Sequence, residues 1–251
     1  MTKAVIERIA DAGREKADLS RAHPSRYLTR AALAGAFIFV GTLLSALCLG
    51  WLLDDLPAAK LLSALAFSAA LILVVLLGGE LFTGCNMVLS VALLEKRARL
   101  SDALRVWAMA YAGNLVGIVI LSLLVAGSGA SHDVLAAALA ACVPGKLSPP
   151  WYTLLLKGVL CNFLVCLGVF AGFRLQGEGA KALVIALVIT PFVLCGFEHS
   201  IANMAYFSLY ALLVPGADLP AMGHNLLWVT LGNFLGGGLL LGWPLWRSAE
   251  A

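Results

Sequence analysis

The sequence predicts an all-α integral membrane protein: six transmembrane helices in an inverted three-plus-three repeat, with the second and fifth helices broken. Three observations lead there. Of 251 residues, 61% are hydrophobic and only 12% charged, and the mean hydropathy is +0.95, far outside the range of soluble domains. Uncharged runs long enough to cross hydrocarbon recur along the chain. Two of them are interrupted by ionisable motifs that look like copies of one another.

The apolar runs are 31–53, 61–79, 106–131, 158–173, 182–197 and 225–246. A span needs about 20 apolar residues, fewer where tilt or thinning helps. The first motif is Gly78-Gly79-Glu80-Leu81-Phe82-Thr83-Gly84-Cys85-Asn86-Met87; the second is Cys195-Gly196-Phe197-Glu198-His199-Ser200-Ile201-Ala202-Asn203-Met204. An ionisable residue in hydrocarbon is costly and faces a pathway or polar site. Such sites at matching places in two halves point to a midplane transport site.

The repeat extends further. Gly113-Asn114-Leu115-Val116-Gly117 matches Gly232-Asn233-Phe234-Leu235-Gly236, and the offsets are 117 residues from Asn86 to Asn203 and 119 from Asn114 to Asn233. Each copy holds three spans, an odd number, so the second enters from the opposite side. The expected organisation is one domain over 1–251: an N-terminal helix (1–23), a first repeat (24–130), a loop (131–150) and a second repeat (151–247). That loop has room for a short helix over 134–142, ended by Pro144 and the Pro149-Pro150 pair.

Residues 1–23 lack the apolar core of a cleavable signal. With Val5, Ile6 and Ile9 on one side and Lys3, Arg8, Arg14 and Lys16 elsewhere, they suit an amphipathic helix at the membrane surface or a solvated helical tail. With the N-terminus inside, 14 of the 17 basic residues fall in inside segments and only Lys60 and Lys146 outside, while Lys157 lies within the fourth span. The positive-inside rule then puts both termini in the cytoplasm. The net charge of +3 reflects this asymmetry and makes no case for nucleic acid. Six cysteines form no CxxC pair and no zinc-like spacing. They are expected to be small buried packing residues, and no metal or cofactor is implied.

A helix broken at the midplane leaves N–H and C=O groups without partners, tolerated only where they are buried in protein or line a cavity. Helix N-termini at the break offer an anion a favourable field. Thr83 brings a hydroxyl, set against the ordinary reading of a hydroxyl bonded to its own helix. His199 brings an imidazole that titrates near neutral pH, set against a satisfied core histidine. Glu80 and Glu198 would repel anions, so they are expected to face away and bond N–H groups freed by the breaks, bracing them together with Asn86 and Asn203.

At these residues the chain resembles the formate/nitrite transporter family. The matching pieces are Glu80 to Gly84, Leu160-Cys161-Asn162 with Leu164-Val165-Cys166-Leu167, the segment from Gly196 to Met204 and both Gly-Asn pairs. The resemblance implies an aquaporin-like fold, a homopentamer in the lipid bilayer of the bacterial inner membrane, a pore in each protomer, and small monovalent weak-acid anions as cargo. Carried over by position, His199 is the central pore histidine and Thr83 its partner. Phe67 and Phe192 resemble the outer constriction, Leu71 and Leu81 the inner one, and Asn162 the pore asparagine. Lys146, sixteen residues before Asn162, resembles the lysine that attracts anions in the outer vestibule. A family lysine before the first span has only Lys16 and Arg21 nearby and no firm match. Lys157 and the segment 223–233 most resemble the nitrite-channel branch.

The expected function is passage of nitrite, with protons coupled through His199; formate or hydrosulfide is the alternative within the family. A water or glycerol channel is disfavoured by the absence of Asn-Pro-Ala and by the glutamates in both motifs. An enzyme is disfavoured because no second His or carboxylate stands three or four residues from His199, so no catalytic residue is assigned.

Overall fold

The computed structural model describes residues 2–249, and all their regular structure is helical. Met1, Glu250 and Ala251, the outermost residues of the chain-long domain expected above, lie outside the described residues. In chain order the helices are α1 (Lys3–Ala22), α2 (Pro24–Trp51), α3 (Leu56–Leu77), α4 (Phe82–Leu94), α5 (Leu100–Ser128), α6 (His132–Leu147), α7 (Trp151–Arg174), α8 (Glu178–Leu194), α9 (Ser200–Leu213) and α10 (Leu219–Phe234). The last continues through a π-helical stretch, Leu235–Gly242, into α11 (Trp243–Arg247). Five helices are long and apolar enough to cross a membrane: α2, α3, α5, α7 and the continuous rod Leu219–Arg247. α4 and α9 are shorter apolar helices.

Both interruptions expected from the motifs are present, and they are built alike. α3 ends on Gly78 at φ +79°, and the bend after α8 places Gly196 at φ +66°, a left-handed conformation that glycine adopts without a Cβ penalty. Just beyond each glycine an N–H reaches back five residues: Gly79 to the Val74 carbonyl and Phe197 to the Phe192 carbonyl, both at 3.1 Å. Pro191 inside α8 removes an N–H from the ladder shortly before that helix stops. The chain then runs briefly without helix and restarts as α4 or α9.

α2 packs against α3 and α5, and α7 against α8 and α10. The approach is close enough that a Cβ on Gly117 would strike the Ala32 carbonyl, and one on Gly236 the Val159 carbonyl. These two glycines are the outer members of the Gly-Asn matches in the sequence. Small residues at such crossings let the helix backbones meet.

Three expectations need correction. α1 does not offer its apolar face to the membrane surface or trail in solvent. Its apolar face, including Ile6, Ile9 and Ala10, is buried, and Gly13 sits against Ala92 and Val88 of α4, so protein covers the face that would otherwise enter lipid. The loop helix is longer than 134–142, because α6 carries Pro144 within it and ends at Leu147. The carbonyl left without a helical partner belongs to Ala140, which is exposed. The cysteines are not uniformly buried. Cys85, Cys161 and Cys166 are, Cys48 and Cys142 are half-buried, and Cys195 is exposed because it lies in the bend after α8.

Candidate functional site

The site is assembled from the two restarts. At the first, the Phe82 N–H donates to Asn114 Oδ1 (3.0 Å), and Asn114 Nδ2 donates to the carbonyls of Ala31 (2.8 Å) and Glu80 (3.0 Å). At the second, the Ser200 N–H donates to Asn233 Oδ1 (2.8 Å), and Asn233 Nδ2 donates to the carbonyls of Gly158 (2.8 Å) and Glu198 (2.9 Å). The Glu80 N–H bonds the Arg30 carbonyl and the Glu198 N–H the Lys157 carbonyl, both at 3.3 Å. Each asparagine is fully buried and supplies a fixed donor and acceptor pair where the helix supplies none.

The glutamates therefore do not bond the freed N–H groups, as expected from sequence; Asn114 and Asn233 do. The carboxylates pair instead with lysines. Glu80 Oε2 takes Lys16 Nζ at 2.6 Å, and Glu198 Oε2 takes Lys146 Nζ at 3.0 Å. A buried carboxylate without a countercharge would carry a large desolvation cost, and one cation from α1 and one from α6 remove it. Asn203 bridges Glu198 (2.7 Å) and Asn225 (2.8 Å), and accepts from Lys146 (3.1 Å). Lys146 also lies 5.2 Å from the Tyr206 ring centroid. Burial opposes the Lys146 charge, but attraction to Glu198, Tyr206 and Cys142 outweighs it and leaves the pKa raised. Its ammonium is thus already engaged rather than free in the vestibule.

The hydrogen bonds also correct the pairing of the motifs. They match Glu80 with Glu198, an offset of 118 residues, so Cys85 rather than Asn86 stands where Asn203 stands. Cys85 Sγ faces Glu80 Oε2 at 3.9 Å, a weaker version of the Asn203–Glu198 bond five residues along. Asn86 is fully buried and neither of its amide atoms has a hydrogen-bond partner.

Thr83 and His199 meet. Thr83 Oγ1 lies 2.9 Å from His199 Nε2, and His199 Nδ1 accepts the Ala202 N–H at 3.0 Å as the cap of α9. A neutral imidazole has one N–H. With Nδ1 accepting, that N–H is on Nε2 and points to Thr83. Around this contact the apolar residues close in. Phe67 and Phe192 meet edge to face with centroids 5.5 Å apart, and the Phe192 ring is 6.2 Å from the His199 ring. Leu71 and Leu81 are buried; Leu81 caps the start of α4 and Leu71 abuts Gly168 of α7. Asn162 reaches neither cavity described below: its Nδ2 donates to the carbonyls of Thr83 (3.1 Å) and Asn233 (2.6 Å), joining the two breaks.

Two cavities flank this closure. One, about 590 Å³, opens on the α1 side and is lined by Lys16, Arg30, Glu80, Leu81 and Lys181 among others. The other, about 640 Å³, opens on the α6 side and is lined by Lys60, Lys146, Lys157, Phe67, Phe192 and His199 among others. Basic residues thus line both approaches, together with Glu80 on one side and Glu198 on the other, which do not face away as expected; the centre between them is apolar apart from a hydroxyl and an imidazole.

Residues 3–247 match the family model described as "Formate/nitrite transporter". The chain belongs to the formate/nitrite transporter family. It is 37% identical over 239 residues to the nitrite transporter NirC of Salmonella typhimurium, covering 92% of this chain and 86% of that one. Its fold is similar to a solved FNT family ion channel (TM-score 0.92, 34% identity, covering 98% of this chain and 99% of that one). It is also similar to a pentameric formate channel with formate bound (TM-score 0.78, 30% identity, 91% and 98% covered). Family membership makes this a multi-pass membrane transporter or channel, and its relatives include carriers of both nitrite and formate.

Proposed function

We propose that the chain carries small monovalent weak-acid anions, nitrite foremost, through a pore in each protomer of a homopentamer. In this reading six spans, α2, α3–α4, α5, α7, α8–α9 and α10–α11, form an inverted three-plus-three repeat in a bacterial inner membrane. Both termini are cytoplasmic, so the α1 side is inner and the α6 side outer. The paired bonds of Asn114 and Asn233, at nearly constant offset, support the repeat. The basic bias of the segments on the α1 side supports the orientation. Membership of a transporter family supports transport over catalysis.

The single observation that carries the reading is the Thr83–His199 contact, closed in by Phe and Leu side chains, between two cavities lined by basic residues. An anion drawn into either cavity meets apolar walls that strip its water, at large cost to the bare charge. Hydrogen bonds from Thr83 and His199 Nε2 offset part of that cost. A weak-acid anion lowers it further by taking a proton and crossing neutral. Because Nδ1 accepts the Ala202 N–H, Nε2 carries the ring's one proton, and giving it up would leave an imidazolate; the proton that neutralises the anion therefore comes from water and not from His199. We assign His199 the part of a neutral donor, with the proton arriving through the same cavity as the anion. No cofactor enters this scheme.

Nitrite is favoured by Lys157 and the segment 223–233, and formate is the second reading, supported by the likeness to the formate-bound pentamer. Flux into liposomes of purified protein, with nitrite, formate, hydrosulfide, lactate and acetate in turn, is expected to be fastest for nitrite. Formate ahead of nitrite would transfer the assignment, and no flux of any of them would overturn the reading. In the same assay, Phe192→Ala and Leu81→Ala are each expected to admit lactate and acetate more readily relative to nitrite. Unchanged exclusion of the larger anions in both variants would remove these residues from the constrictions.

A further inference from the structure

The Thr83 carbonyl is held from α7 by two side chains one turn apart. Asn162 Nδ2 donates to it at 3.1 Å and Cys166 Sγ at 3.4 Å. Cys166 Sγ also lies 3.6 Å from Asn162 Oδ1. Both residues are fully buried, and neither lines a cavity. A thiol has one proton, and either acceptor puts it to the same use. On the Thr83 oxygen it holds the carbonyl directly. On Asn162 Oδ1 it fixes which end of the amide is the acceptor, so that Nδ2 faces the carbonyls of Thr83 and Asn233. Behind the pair stands Gly237 of the π-helical stretch, where a Cβ would come within 2.5 Å of Asn162 Nδ2 and 2.8 Å of Cys166 Sγ.

This clamp is present at one break only. The Arg30 carbonyl takes the Glu80 N–H and the Lys157 carbonyl the Glu198 N–H, so α2 and α7 correspond at the offset of 127 residues from Arg30 to Lys157. The carbonyls of Ala31 and Gly158, taken by Asn114 and Asn233, keep the same offset. At that offset Asn162 corresponds to Gly35 and Cys166 to Phe39, neither of which has a side-chain donor. The offset of 118 residues from Glu80 to Glu198 carries Thr83 to Ile201. A device needed merely to hold a restart would serve both breaks. This one serves the turn that carries the hydroxyl.

The Thr83 hydroxyl follows its own backbone closely, because χ1 is the one torsion between them and branching at Cβ restricts it. A displaced carbonyl therefore displaces the hydroxyl, and a hydrogen bond weakens steeply outside a narrow range of distance and angle. We propose that Cys166 is a positioning residue for transport: its thiol, together with Asn162, holds the first turn of α4 so that the Thr83 hydroxyl stays on His199 Nε2, 2.9 Å away. Cys166 acts through Thr83 without touching the anion. This rests on the transport reading above.

The test is initial nitrite uptake into liposomes of purified Cys166→Ala, Cys166→Ser, Thr83→Val and the double variant Cys166→Ala/Thr83→Val. Cys166→Ala is expected to lower the maximal rate about 2- to 10-fold, the range of one neutral hydrogen bond. The apparent KM stays within about twofold, because the cavities that admit the anion are untouched. Cys166→Ser keeps a donor and recovers part of the lost rate. In the Thr83→Val chain, where the hydroxyl is already gone, Cys166→Ala lowers the rate little further, the non-additivity of two residues that act as one unit. Gly237→Ala crowds the clamp from behind and is expected to lower the rate more than Gly238→Ala, which crowds Ser90 Oγ (2.6 Å) instead. That comparison decides the matter if Cys166→Ala does not assemble. A wild-type maximal rate in Cys166→Ala, no recovery in Cys166→Ser, the same proportional loss with and without the Thr83 hydroxyl, or equal effects of the two glycine variants would each overturn the positioning role while leaving transport intact. A wild-type rate in Thr83→Val would overturn the reading of the closure itself, and the part of Cys166 with it.

Discussion

Replacing His199 by phenylalanine is expected to lower nitrite flux by roughly 10- to 150-fold, the loss corresponding to one hydrogen bond to a charged group of about 1.5–3 kcal/mol. The imidazole Nε2 is held 2.9 Å from Thr83 Oγ1, and the ring lies tilted beside Phe192, centroids 6.2 Å apart. Phenylalanine keeps the planar ring and its packing but withdraws the donor where the anion is least hydrated. It also removes the acceptor for the Ala202 N–H. His199→Asn is therefore the useful companion: it offers a side-chain amide donor, and an asparagine at the same position can still cap α9. Partial flux in His199→Asn with near-complete loss in His199→Phe is the expected pattern. Wild-type flux in His199→Phe would show that the donor at the closure is not needed. Flux equally lost in both variants, with both folded, would point to a requirement for the imidazole itself.

The largest effect on stability is expected at Asn233. Asn233→Ala leaves the Ser200 N–H and the carbonyls of Gly158 and Glu198 without the partners they now have. A buried group left unsatisfied costs about 1–3 kcal/mol, so the loss is expected to reach ~3 kcal/mol or more, with relaxation absorbing part of the sum. Asn114→Ala is expected to behave in the same way through Phe82, Ala31 and Glu80. Asn86→Ala is the contrast. Asn86 is equally buried, but its amide has no hydrogen-bond partner, so its loss is expected to cost far less. Thermal melting of the detergent-solubilised variants separates the three. Similar melting points for Asn233→Ala and Asn86→Ala would contradict the account of how the breaks are held.

The same residues show what the sequence makes legible and what it does not. The interruptions were visible because Glu80, Glu198 and His199 stand in apolar runs, where an ionisable side chain is rare and costly. The Gly-Asn pairs were visible as a repeat, but their task was not: capping joins residues more than thirty positions apart, Asn114 to Phe82 and Asn233 to Ser200, and periodicity says nothing of contacts at that range. The same blindness hid the Lys16–Glu80 pair, which joins α1 to the first break across 64 residues. α1 has the pattern of a membrane-surface helix because a face made to bury against lipid and a face made to bury against protein read alike. The shared Asn-Met after each glutamate misled the pairing by one residue. Only the backbone bonds at Glu80 and Glu198 reveal that Cys85 holds the place of Asn203. Lys157 was visible as a charge within a span, but only the cavity gives it a direction to face.

The central claim is that a weak-acid anion crosses the closure between Thr83 and His199 together with a proton. The most direct test is simultaneous measurement of nitrite flux and of pH inside liposomes of the purified wild-type protein, corrected for empty liposomes, with and without an imposed membrane potential. The account predicts about one proton moved with each nitrite, a flux insensitive to voltage, and both movements lost together in His199→Phe. Nitrite flux without accompanying pH change, driven or halted by the imposed potential, would contradict it and make the protein a conductor of the bare anion.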